Sequence, residues 1–193
     1  MRKNVFIIQN VDISKSIALT TYLNGIVKYL VKDNSIRLSL ITSGRKDEIK
    51  EIDNSGKNFI IKSNTYSPQA NIRYIIKALQ ILKKENKLEK IDVIHCIYPN
   101  SSLIASSLFK RFYNKNVEII YDLRSPWIEM SIERGFIKKG LISNIFKNLA
   151  YLSERIFTSN VNKIIFITEG LKNKYRNKIN LINKEVIIIP SGF

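Results

Sequence analysis

The chain has 193 residues, 45% of them hydrophobic and 25% charged, the composition of one folded globular domain rather than a disordered segment. Its formal charge is +16, and residues 134–184 alone hold 11 basic and 2 acidic side chains. Such a field favours nucleic acid, anionic lipid or phosphorylated substrates without choosing among them.

The apolar runs recur with helical stretches between them. "NVFIIQ" (4–9) and "IRLSLIT" (36–42) read as strands. Between them Ile17, Tyr22, Leu23, Ile26, Val27 and Leu30 give an amphipathic helix, with Ser14 placed to cap it. The stretch 43–57, "SGRKDEIKEIDNSGK", reads as a solvated loop, and "NFIIKS" (58–63) as a weaker strand. A helix around 69–85 follows, with Ile72, Ile75, Ile76, Leu79 and Leu82 on one face. "DVIHCIY" (92–98), a helix around 101–113 and "VEIIYDL" (117–123) repeat the alternation. A helix near 141–158, the strand "KIIFIT" (163–168), a helix at 169–178 and the strand "EVIIIPSG" (185–192) close the chain. Short β-branched runs, apolar on both faces and joined by helix-length connections, predict an open, doubly wound parallel α/β sheet of six or seven strands. No repeat or linker divides the chain, so residues 1–193 read as one domain.

Several chemistries lack their residues. One cysteine permits no internal disulfide, and with one histidine it leaves no zinc ligand set, so no metal site is expected. Seven scattered glycines form neither a dinucleotide fingerprint nor a P-loop. His95 lies mid-strand with no nucleophile elbow near it, against a Ser-His-Asp hydrolase. The start, "MRKNVFIIQN", has a basic residue pair but only a short apolar run, so neither a signal peptide nor a membrane span is expected. These features predict a cytoplasmic protein.

Two constellations remain. In "VEIIYDLRSPWIEM", Asp122, Arg124 and Trp127 stand just beyond a strand end, the edge where open α/β sheets bind ligands. Pro99, Pro126 and Pro190 all fall at or just past such ends. Asp122 and Arg124 can point the same way to bind a polyol or phosphate, with Trp127 stacking on a sugar face. Equally, they can pair with each other to shape the loop while Trp127 plugs the core edge. The second constellation is the run 134–160. Leu141, Ile145, Phe146, Leu149, Leu152 and Phe157 form a wide apolar face, with Lys138, Lys139, Lys147 and Arg155 around it. It reads as a membrane-surface helix or as an ordinary packed helix with a basic outer side.

In order and spacing, "DVIHCIYP", "VEIIYDLRSPW", "KIIFITEGLKNKY" and "EVIIIPSGF" resemble the N-terminal domain of GT-B glycosyltransferases of family 4. Three departures stand out: "QNVDISKS" (9–16) lacks the family's loop glycines, Ile97 replaces a second histidine, and Ser191 replaces the hinge asparagine. Without that second histidine, His95 reads as a packed strand residue. The resemblance implies an acceptor-binding half whose C-terminal nucleotide-sugar domain is not in this sequence. The full enzyme would move a sugar from a nucleotide-sugar to a polysaccharide or lipid-linked acceptor, the donor being a substrate and no cofactor being needed. It further implies acceptor contacts from Asp122, Arg124 and Trp127, and a phosphate contact from Ser14 and Lys15 at a helix start. The basic helix would rest on an anionic membrane at the inner face of the cell. Two alternatives stay open: a non-catalytic partner subunit of such an enzyme, and a basic nucleic-acid-binding α/β domain. The absence of any zinc spacing, Walker motif or RNP-type stretch weighs against the latter.

Overall fold

The computed structural model describes residues 2–12, 17–52, 56–63, 68–133 and 140–190. The first strand, β1 (Lys3–Asp12), leads through α1 (Ile17–Leu30) to β2 (Ile36–Gly44). A short hairpin of β3 (Glu48–Ile52) and β4 (Gly56–Lys62) precedes the long α2 (Pro68–Leu88). Then come β5 (Val93–Ile97), α3 (Asn100–Phe112), β6 (Glu118–Leu123) and the short α4 (Trp127–Glu133). The chain finishes with α5 (Leu141–Thr158), β7 (Lys163–Phe166), α6 (Glu169–Tyr175) and β8 (Glu185–Ile188). Among the described residues these strands form one eight-stranded sheet in the order β3-β4-β2-β1-β5-β6-β7-β8. Every neighbouring pair is parallel except β3 with β4. This is the expected Rossmann-like α/β sheet, with one strand more than the sequence suggested.

The extra strand corrects the reading of 43–57 as a loop. Glu48–Ile52 pairs antiparallel with β4, Glu48 opposite Ile60 and Ile52 opposite Gly56. Its sequence, Glu-Ile-Lys-Glu-Ile, buries little, with Ile49 exposed and Ile52 partly buried, so no regular apolar alternation announces it. Backbone pairing holds it at the sheet edge, where charges discourage association with other chains. A Cβ on Gly56 would lie 1.6 Å from the Leu38 carbonyl oxygen, so only glycine lets β4 enter beside β2.

Side chains alternate across the sheet. Phe6, Ile8, Ile94 and Cys96 point to one side, packed under Tyr74 and Leu82 of α2 and Leu103 and Phe109 of α3. Val5, Ile7 and Ile97 point to the other, against Leu23 of α1. Tyr74, fully buried, keeps its hydroxyl satisfied by donating to the Ile41 carbonyl at 3.0 Å. Serines 101, 102, 106 and 107 are all buried on α3, and their small size brings that helix close to β1. There the Asn10 backbone N–H donates to Ser102 Oγ (3.1 Å), and its side-chain amide donates to Ser101 Oγ (2.9 Å).

The strand order marks the position at which open α/β sheets bind ligands. From β1 the chain winds outward through β2 and β4, then crosses to β5 and winds the other way through β6, β7 and β8. The reversal lies between β1 and β5. Diverging connections leave a crevice outside the carboxyl ends of those two strands.

Candidate functional site

The residues beside that crevice are Gln9 at the end of β1, His95 and Ile97 on β5, and Asp122 at the end of β6. Gln9 is in register with Ile97, and Ile97 with Asp122, so the three form one row across the reversal. His95 sits two residues earlier on the same face. Tyr22 reaches this row from α1, which packs over the same side of the sheet.

Asp122 is the centre. Its side chain is fully enclosed, and Oδ2 accepts hydrogen bonds from Tyr22 Oη at 2.6 Å and Arg124 Nε at 3.1 Å. His95 Nε2 stands 3.4 Å from the same oxygen, at ion-pair distance. The Arg124 guanidinium carbon lies over Tyr22, 3.1 Å from the ring centroid, so cation and carboxylate share one aromatic partner. Burial pushes the Asp122 carboxyl up, but His95, Arg124 and Tyr22 together outweigh it and hold the group below its usual range. Tyr22 moves the other way: burial, then the Asp122 charge, drives its hydroxyl far above the ordinary phenol value. At neutral pH it remains a donor to a charged Asp122.

Of the two readings of Asp122 and Arg124, the structure supplies the mutual ion pair directly. It does not exhaust the carboxylate. Asp122 Oδ1 is buried with no hydrogen-bond partner, and so are both amide atoms of Gln9. An unpartnered buried polar atom costs about 1–3 kcal/mol, so such atoms are rare outside functional sites. These three, with His95 Nε2, lie beside the strand-order reversal, while Ser43 Oγ on β2 and Glu129 Oε2 on α4 are further such atoms elsewhere.

The remaining predicted positions fall elsewhere. Trp127 opens α4, three residues past Arg124, and its indole lies outside the described residues, as do Ser14, Lys15, Lys138 and Lys139. Lys147 and Arg155 both sit on α5, Arg155 exposed and Lys147 half-buried. Among the described residues no group of three or more metal-ligating side chains forms. Tyr22 and Gln9 escaped the sequence reading. The one available signal was a glutamine ending the otherwise apolar run "VFIIQ".

Behind the sheet lies a second ionisable cluster. Glu129 of α4 takes a short hydrogen bond from the Tyr151 hydroxyl, and Lys178 and Lys174 stand 3.3 and 3.5 Å from it. Glu154 of α5, only 1% exposed, accepts from the buried Tyr121 hydroxyl at 3.1 Å. Burial is the main reason its carboxyl is pushed up to about 8; the Tyr121 hydrogen bond opposes this and the nearby Glu129 charge adds to it. Glu154 is therefore mostly protonated at neutral pH.

Fold and site together define an α/β domain with buried, unpartnered polar atoms beside its strand-order reversal. The model of Glycosyltransferase Family 4 matches residues 19–193, and the chain belongs to that family. Among solved structures it is similar to a sucrose-phosphate synthase of Thermosynechococcus elongatus (TM-score 0.64, 9% identity), over 98% of this chain and 90% of that one. It is also similar to a UDP-N-acetylglucosamine 2-epimerase (TM-score 0.59, 11% identity), over 98% of this chain and 48% of the other. A putative UDP-N-acetylglucosamine 2-epimerase from Listeria monocytogenes matches with TM-score 0.55 and 8% identity, over 92% of this chain and 43% of that one. The chain thus spans less than half of either epimerase. At these identities the likeness is one of fold. No curated protein matches.

Proposed function

We propose that this chain is the acceptor-binding lobe of a glycosyltransferase that moves a sugar from a nucleotide-sugar to a polysaccharide or lipid-linked acceptor. The observation that carries the reading is the row Gln9–Ile97–Asp122, whose unpartnered polar atoms need a donor-rich, neutral ligand. Arg124 already balances the Asp122 charge, so an alcohol that donates to Oδ1 suits it better than a second anion. Asp122 and the Gln9 amide orient the acceptor hydroxyl, while Trp127 supplies a stacking face. The nucleotide-sugar binds mainly to a second lobe, which closes over this one and excludes water; no cofactor is required. Ser14 and Lys15, at the head of α1, meet a phosphate of donor or carrier.

The same reading places the acceptor on a lipid carrier at an anionic, inner membrane surface. Its support is the +16 charge, since each basic side chain near such a surface contributes on the order of 1 kcal/mol.

Trp127 is the single tryptophan, so intrinsic fluorescence reports on this rim alone. Titration with free hexoses, oligosaccharides and UDP-hexoses is expected to change its emission saturably with the saccharides. Tight, salt-dependent binding of single-stranded or duplex oligonucleotides, with no response to any saccharide, would replace this proposal with a nucleic-acid-binding one.

A further inference from the structure

Helix α5 carries apolar side chains on both sides. Its inner side holds Glu154 and Thr158, both buried, with Tyr151 and Phe157 packed against the core. Its outer side carries Ile145, Leu149, Leu152 and Ile156, each between 52% and 55% exposed. At about 100° per residue these four fall within about 60° of arc, a straight aliphatic stripe about 16 Å long. A helix on a solvated surface turns its apolar stripe inward, so an outward one marks a contact surface. At its C-terminal end the stripe continues into a groove where Ile179 and the 75% exposed Ile182 meet Leu152 and Ile156, with Arg155 and Arg176 at the edges.

We infer that the outer face of α5 is a docking face for an anionic lipid bilayer, lying flat with the aliphatic stripe in the interfacial zone. The inference rests on the membrane reading above and assigns it to one face. Charge selects the occupant. From 141 to 184 the chain carries eight Lys and Arg against two Glu, and one of those, Glu154, is buried and faces inward. Arg155 flanks the stripe directly, at the depth where a guanidinium meets lipid phosphate. A second copy of this chain would bring two bodies of charge +16 face to face. A stripe of this length cannot span a hydrocarbon core of about 30 Å, and no helix among the described residues is long and apolar enough to do so. Lys147, expected as part of the basic rim, projects from the inner half of the helix, so Arg155 and Arg176 take that part.

The test uses vesicles of equal phosphatidylglycerol and phosphatidylcholine, with pure phosphatidylcholine as control, at low salt. Leu149→Cys and, on the opposite face of the sheet, Tyr29→Cys each carry an environment-sensitive fluorophore. Native Cys96 does not compete, being buried with its thiol pushed up to about 12. The expected result is a blue shift at position 149 but not at 29, on anionic vesicles only. The double variant Leu149→Glu, Leu152→Glu should lose at least tenfold in partitioning with no fall in Tm, because both positions are exposed. If the chain binds anionic vesicles while position 149 stays unshifted and the double variant binds normally, the face is wrong and the membrane reading survives. If the unmodified chain ignores anionic vesicles, both fall.

Discussion

Asp122→Ala should lose about 3–5 kcal/mol of unfolding free energy in urea titration, among the largest losses available to any single side chain here. The cause is what it leaves behind. Arg124, at 12% side-chain exposure, and the Tyr22 hydroxyl would keep their donors pointed at an empty place. Asp122→Asn retains the shape and one acceptor oxygen, so it should fold with a smaller penalty while weakening saccharide binding. The pH dependence has a definite sign. The folded carboxyl titrates below its ordinary value of 3.8, so its stabilisation is complete above about pH 4. It is lost as pH falls through the depressed folded value. In Asp122→Asn that acid-side loss should shrink, and an unchanged acid limb would mean the carboxylate is not held as described.

Glu154→Gln should stabilise the chain at neutral pH and above, although it alters a buried, hydrogen-bonded carboxyl. In the folded protein the carboxyl is pushed up to about 8, against an ordinary 4.5 in the unfolded chain. Between those values the folded state binds the extra proton, so the contribution of Glu154 to wild-type stability falls as pH rises. A glutamine keeps the acceptor for Tyr121 and carries no proton to lose. The gap between variant and wild type should therefore be near zero around pH 4, open through neutrality, and reach on the order of 4 kcal/mol by pH 8 to 9. Urea unfolding at four pH values checks it. A gap that stays constant across this range would show that Glu154 is ionised in the folded state.

The two constellations differ in how much of them could be read along the chain. The parallel strands announce themselves because Ile, Val and Leu fill both faces, and Asp122 and Arg124 stand out as charges following an apolar run. Tyr22 could not be paired with Asp122, because the two are 100 positions apart and meet only through the crossing of α1 over the sheet. Gln9 looked like a strand's polar end until register set it beside Ile97 and Asp122. The strand Glu48–Ile52 was invisible because pairing at an edge asks only for backbone. In α5 the period of Ile145, Leu149 and Leu152 revealed a helix but not that these residues face outward, beside Ile156. Ordinary expectation sends the aliphatic stripe in; the fold sends Phe157 and Tyr151 in, together with Glu154, which is joined to Tyr121.

The proposed acceptor site places hydroxyls at Gln9 and Asp122. The most direct measurement is a ¹⁵N-detected NMR titration following the Gln9 side-chain amide, with saccharides added to wild type and to Asp122→Asn. In wild type the Gln9 amide pair is predicted to shift saturably together with backbone signals of residues 96–98 and 122–124, and in Asp122→Asn to do so at least tenfold more weakly. Saccharide-dependent shifts confined to other parts of the chain, with the Gln9 amide unmoved, would contradict it.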